Sequence, residues 1–89
     1  LVAEQTIRIA SAHGLHARPA SIFTQAAAAA GIPVQLAKGG KSVNAASILG
    51  VISLGIDHDD EVTVSAEGDN AAQVVDELVV LLSTDFDKE

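Results

Sequence analysis

Two histidines, His13 and His16, stand three residues apart in the string HGLHARPAS, residues 13–21, and Arg18 and Pro19 follow the second. A neutral imidazole is a nucleophile, and if it attacks a phosphoryl donor the group it then carries is an anion. The residues around His16 suit that anion. With His16 as an N-cap, Ala17, Arg18 and Pro19 form the first turn of a helix. First-turn N–H groups have no intrahelical acceptor and sit at the positive end of the helix dipole, so the amides of Ala17 and Arg18 form a phosphate cradle. The Arg18 guanidinium adds charge-assisted hydrogen bonds. The same dipole disfavours imidazolium and keeps the ring neutral near physiological pH. Pro19 is tolerated in a first turn but pushes Arg18 away from helical angles, a mild conflict that favours an unusual local geometry. Gly14 lets the preceding loop turn sharply and approach its neighbours closely.

The same residues also admit plainer readings. A histidine at a helix start can be no more than a polar cap, and an arginine beside it a solvated charge. His13, His16 and His58 suggest a metal site, but the first two share a loop with no carboxylate at ligand spacing, so no built metal site is expected. Asp57, Asp59, Asp60 and Glu61 lack the spaced pattern and glycine of a calcium loop. They read as a solvated turn that includes His58, and Asp85 to Glu89 as a solvated tail.

The elements that must hold His16 follow from periodicity. Residues 6–10 alternate, with Ile7 and Ile9 on one face, a half-buried strand. Residues 17–30 read as a helix with Ile22, Phe23, Ala26, Ala27 and Ala30 on one face, closed by Gly31 and Pro33. Ile32, Val34 and Leu36 mark a second strand, with Pro33 at an edge or a strand entry. Lys38-Gly39-Gly40-Lys41 is a hairpin turn into a short strand, residues 42–44. Ile48, Leu49, Val51 and Ile52 suggest a short helix with Ser47 as N-cap and Gly55 at its end. Val62, Val64 and Ala66 mark a fourth strand over residues 61–66. Asp69 caps a last helix over residues 70–83, with a stripe of Ala71, Val74, Val75, Leu78, Leu81 and Leu82. The order β-α-β-β-α-β-α implies an α+β fold, a four-stranded antiparallel sheet with three helices on one face. Ferredoxin-like split β-α-β folds have nearly the same order.

With 89 residues the chain is expected to form one domain, residues 1–89. Hydrophobic residues make up 48% but aromatic ones only 2%, so the core must be built from Ala, Val, Ile and Leu. The net charge of −7 argues against nucleic acid and anionic membrane as partners. The chain lacks cysteine, which excludes disulfides and thiolate metal sites and fits a reducing cytoplasm. No apolar run is long enough to span a membrane, and the first residues do not read as a signal peptide. The chain starts at Leu1 rather than Met, as expected if its start was removed or it is a piece of something longer.

GLHARPAS resembles the active-site motif of the HPr family, the histidine-containing phosphocarriers of the phosphoenolpyruvate:sugar phosphotransferase system. NAASILGVISLG resembles the same family's regulatory-serine region at the spacing the family shows, and the element order matches its open-faced β-sandwich. The resemblance spans essentially the whole chain. It implies that His16 accepts a phosphoryl group on Nδ1 from enzyme I, itself charged by phosphoenolpyruvate, and passes it to sugar-specific enzyme IIA proteins. It implies that Arg18 assists, that no cofactor or metal is needed, and that the carrier acts as a cytoplasmic monomer rather than a stand-alone enzyme. In low-GC Gram-positive members a serine kinase phosphorylates the residue matching Ser47, which makes Ser47 a regulatory phosphorylation candidate. Those members typically carry Lys where this chain has Ala46. Lysines frequent along the family's first helix are here Gln25 and Ala28. Docking then leans on Arg18 and on the apolar Ala20, Leu49 and Ile52, Leu49 being nearly as well suited to core packing. The NAAS string and the Ala-rich first helix are similar to actinobacterial members. The alternative function is a regulatory module of the same fold that binds a protein or metabolite without phosphoryl chemistry; the presence of His16 argues against it.

Overall fold

A computed structural model describes residues 1–11, 14–15 and 17–84, with the backbone alone for Ala17. The elements are β1 (Val2–Arg8), α1 (Ala17–Ala29), β2 (Val34–Lys38), β3 (Lys41–Asn44), α2 (Ile48–Ser53), β4 (Glu61–Glu67) and α3 (Ala71–Leu82). The sheet order is β1-β4-β2-β3, with every neighbouring pair antiparallel. β4 lies between β1 and β2, so the connection through α1 crosses over it. β2 lies between β3 and β4, so the connection through α2 crosses over β2. These two split crossovers and α3 produce the expected open-faced sandwich.

Alternation along β4 decides which face is covered. Val62, Val64 and Ala66 are buried, while Glu61 and Glu67 on the opposite face are exposed. The register sets Ile7 beside Val62, and Val34 and Leu36 beside Ala66 and Val64, so an apolar layer runs across three strands. Onto it pack Ala20, Phe23 and Ala27 from α1 and Ala71, Val74, Val75, Leu78 and Leu82 from α3. Removing this apolar surface from water is the main force holding the layers together. Alanines on α1 let that helix lie close, and Phe23 supplies the bulk that small residues cannot.

The structure moves several expected boundaries. β1 runs over residues 2–8 rather than 6–10. Its inward row reads Ala3, Gln5, Ile7, and the polar Gln5 interrupts the apolar alternation; Gln5 donates instead to the Asp76 carboxylate on α3. Ile9 lies past the strand end yet is buried, and its N–H donates to the Asp60 carbonyl at 3.0 Å. Pro33 marks a strand entry and not an edge, because β2 is paired on both sides. A residue without an N–H must precede a doubly paired ladder, and Pro33 contributes only its carbonyl, accepting from Glu67. Ile32 lies before the strand. The N-cap of α3 is Asn70 rather than Asp69, without a side-chain cap bond, and Leu81 is only partly buried. Gly39 and Gly40 both have positive φ, 57° and 84°, as a two-residue type I′ hairpin turn requires.

Candidate functional site

His13 and His16 lie outside the described residues, so the expected phosphoacceptor and the three-histidine grouping are approached through their neighbours. α1 begins at Ala17, directly after His16 in the chain. Arg18 is exposed in its first turn, Pro19 is fully buried, and no acidic residue stands in that turn. Burial of Pro19 fixes the helix start against the core, and its missing N–H removes one donor that would need a partner. The amides of Ala17 and Arg18 thus open a 13-residue helix whose dipole favours an anion and which has no carboxylate there to repel one.

The loop leading into this helix rests on the segment between α2 and β4. Leu15 N donates to the Ile56 carbonyl at 3.0 Å, and Gly14 N to the Ser11 carbonyl at 3.0 Å. Gly14 has φ +73°, and a Cβ on it would lie 2.2 Å from the Ile56 oxygen and 2.6 Å from Asp57 Cα. Backbone thus approaches backbone at a distance only glycine allows. The Ser11 carbonyl also lies 3.1 Å from His58 Nδ1, an arrangement that puts the proton on Nδ1. His58 is exposed, as expected of a turn residue, but the tertiary bond to Ser11 was not legible in the sequence.

The supporting segment is itself held by Lys38 at the end of β2. Lys38 Nζ donates to the Gly55 carbonyl at 2.7 Å and pairs with Asp60 Oδ2 at 2.7 Å. Asp60 Oδ2 also accepts from Asp57 N at 2.8 Å. The Lys38 hydrogen bond, then that of the Asp57 amide, holds the Asp60 carboxyl below its ordinary value of 3.8, with partial burial opposing. A carboxylate with a depressed native pKa adds stability that is complete above 3.8 and fades as pH falls through the lower native value. Asp60→Asn is therefore expected to lower the thermal midpoint at neutral pH, with the gap to wild type closing in acid. Thermal melts across that range check this, and a gap independent of pH would contradict it.

α2 carries the second group of expected residues. Ser47 is its N-cap, with Oγ accepting from Gly50 N at 3.1 Å. Asn44 prepares the turn before it, its Oδ1 accepting from Ala46 N at 2.9 Å. Ser47→Ala is expected to cost about 1 kcal/mol of stability, measurable by urea denaturation. Of the four apolar residues expected to define α2, only Val51 is buried. Leu49 is 78% exposed and Ile52 48%, with Ile48 beside them, so these side chains form an apolar surface rather than core. The expected docking role of Ala20 requires correction. Ala20 is fully buried under α1 and offers no surface to a partner. The residues that sequence reading missed are Lys38 and Asp60, because a contact between the end of one strand and a distant turn leaves no local pattern.

Among the described residues no helix is long and apolar enough to cross a membrane. The PTS HPr component phosphorylation-site family model matches residues 3–84. The chain is 42% identical over 83 residues to the phosphocarrier protein HPr of Streptomyces coelicolor, covering 92% of this chain and 89% of that protein. Its structure is similar to that of HPr from Thermoanaerobacter tengcongensis, with a TM-score of 0.91, 41% identity and 98% of each chain covered. It is also similar to a dimeric form of HPr from that organism, with a TM-score of 0.65, 40% identity and coverage of 83% and 84%. The Streptomyces relative agrees with the actinobacterial character of the NAAS string and the alanine-rich α1. With a matching fold, a helix start built for an anion and this coverage, the chain belongs to the HPr family and is a phosphocarrier of the phosphotransferase system.

Proposed function

We propose that His16 is the residue that carries the phosphoryl group, with Arg18 and the amides of Ala17 and Arg18 receiving it. The observation that supports this is the start of α1 directly after His16, with Arg18 exposed in an acid-free first turn. A ring nitrogen of His16 attacks phosphorus on the phosphorylated donor. The donor's bond to phosphorus breaks, its electron pair stays with the donor, and a new N–P bond forms on His16. The guanidinium and helix amides offset the charge that arrives. Transfer to an acceptor runs the same step in reverse, since the N–P bond is readily given up.

In this reading the donor is enzyme I and the acceptors are enzyme IIA proteins, all acting in the cytoplasm, and the carrier works as a monomeric domain over residues 1–89. Leu49 and Ile52 on α2 form the apolar part of the docking surface. The packing of α1 against α2 supports a docking surface that includes both helices. Ser47 is the residue a serine kinase would modify. Its phosphate would add about two negative charges beside that surface and weaken docking to an acidic partner.

The test is phosphoryl transfer. The protein is mixed with phosphoenolpyruvate, magnesium and a cognate enzyme I of demonstrated activity, then followed by phosphorus NMR and fragment mass spectrometry. An acid-labile phosphohistidine on the fragment containing residue 16 is expected. No transfer, or transfer to another residue, would refute the assignment of His16.

A further inference from the structure

Lys38 is one of two lysines flanking the Gly39-Gly40 turn, and its half-buried side chain is turned onto residues 55–60. It grips residues 55–60 at both ends, through the Gly55 carbonyl and the Asp60 carboxylate. Between those two points lie three contacts from this segment to residues 11, 14 and 15. The Ile56 carbonyl accepts from Leu15 N, the Ile56–Asp57 backbone lies against Gly14, and His58 Nδ1 meets the Ser11 carbonyl. The segment also has reason to open without a cation. Asp57, Asp59, Asp60 and Glu61 crowd four carboxylates into five residues of a chain with net charge −7. Arg8 donates to the Asp59 carbonyl at 3.2 Å and lies 3.9 Å from its carboxylate, with both side chains largely in solvent. The Lys38–Asp60 pair is more shielded and shorter than the Arg8–Asp59 pair. Backbone bonds with Ile9 hold Asp59 and Asp60, and the Lys38 ammonium is the side-chain group that joins Asp60 to Gly55 across the segment.

We propose that Lys38, through Gly55 and Asp60, is a positioning residue for phosphoryl transfer, setting the placement of Gly14 and Leu15, which directly precede the acceptor in the chain. This rests on the reading of His16 as acceptor. Lys38 is the last residue of β2 and Asp60 precedes β4, so removing their contact leaves the sheet ladder and the apolar core in place. The consequence falls on the chemical step. A reacting group displaced by a fraction of an ångström transfers more slowly even when docking is unchanged.

The experiment compares Lys38→Met, Lys38→Arg and Asp60→Asn with the wild type in two measurements. One is the steady-state rate of phosphorylation by enzyme I, separated into kcat and KM. The other is amide hydrogen exchange at Leu15, with Val64 in the central strand as reference. Lys38→Met is expected to lower kcat about tenfold. Its KM should stay within about twofold of wild type. Leu15 exchange should rise by a larger factor than Val64 exchange, which reports only the global stability the pair contributes. Asp60→Asn should follow Lys38→Met, and Lys38→Arg should recover most of the rate. Wild-type kcat in Lys38→Met would overturn the proposal, as would a change confined to KM. Acceleration of Leu15 and Val64 by the same factor would overturn it too, because it would mark a global loss of stability with no local effect on Leu15. The exchange measurement does not depend on which residue is phosphorylated. Faster Leu15 exchange in a protein whose acceptor proved to lie elsewhere would therefore locate the failure in the His16 assignment and remove the catalytic half of the proposal.

Discussion

His16→Ala is expected to accept no phosphoryl group from phosphorylated enzyme I, a complete loss and not a slowing. The chemistry allows no substitute at that position. A phosphoramidate needs a ring nitrogen with a lone pair, and Ala has none. The chain lacks cysteine, so no thiolate can take over. His58 is the one imidazole among the described residues, and its Nδ1 faces the Ser11 carbonyl at 3.1 Å in a turn rich in carboxylates. Those carboxylates repel an incoming phosphoryl anion, whereas the first turn of α1 has none. The measurement is intact mass after incubation with phosphoenolpyruvate, magnesium and enzyme I, with circular dichroism to show that the variant is folded. Residual acid-labile phosphate on the folded variant would move the acceptor to His13 or His58.

Gly14→Ala is expected to be the most damaging single-methyl change near the site. Two costs coincide there. The backbone has φ +73°, where any Cβ is strained, and the added carbon would lie 2.2 Å from the Ile56 carbonyl oxygen. Strain and overpacking together are expected to cost about 2–5 kcal/mol. In a domain of this size that lowers the thermal midpoint by roughly 10–30 °C. Gly55→Ala is the matched control. Gly55 has φ +62° but nothing within 4 Å of a Cβ, so it should show the backbone strain alone. That strain is about 1–2 kcal/mol. Equal losses in the two variants would mean that the close approach of Gly14 to residues 56–57 carries no energetic weight. If Gly14→Ala folds at low temperature, its transfer rate should also fall, because Leu15 can no longer keep its bond to Ile56 undisturbed.

The elements were legible wherever one side chain pattern has one reading. α3 shows five buried residues at helical spacing, and β4 alternates without a break, so both stand in the sequence almost as they stand in the structure. β1 was placed too late because Gln5 holds an inward position by bonding to Asp76 and so breaks the apolar alternation before Ile7. α2 looked like a core helix because Ile48, Leu49, Val51 and Ile52 are all apolar. Hydropathy cannot separate a buried leucine from one left exposed, and only the seating of Val51 turns Leu49 and Ile52 outward. Ala20 failed for the opposite reason. A small residue fits beneath a helix or on its surface equally well, and the packing of α1 on the sheet chose the former.

What the sequence determined by itself is local chemistry. It places a nucleophile, a guanidinium and a helix start in consecutive turns of chain, puts a hydroxyl at the N-cap of α2, and spaces the hydrophobic residues so that three helices must share one face of a sheet. Those features depend on neighbours a few residues away, and short-range sterics and hydrogen bonding read them directly. What only the tertiary structure decided is the support beneath the site. Ile56 meets Leu15, Asp57 closes on Gly14, and Lys38 spans to Gly55 and Asp60, contacts between segments that are remote in the chain. Such pairs arise only after the split crossovers bring the end of β2 beside the turn before β4, because no short-range pattern records which distant backbone a lysine will reach.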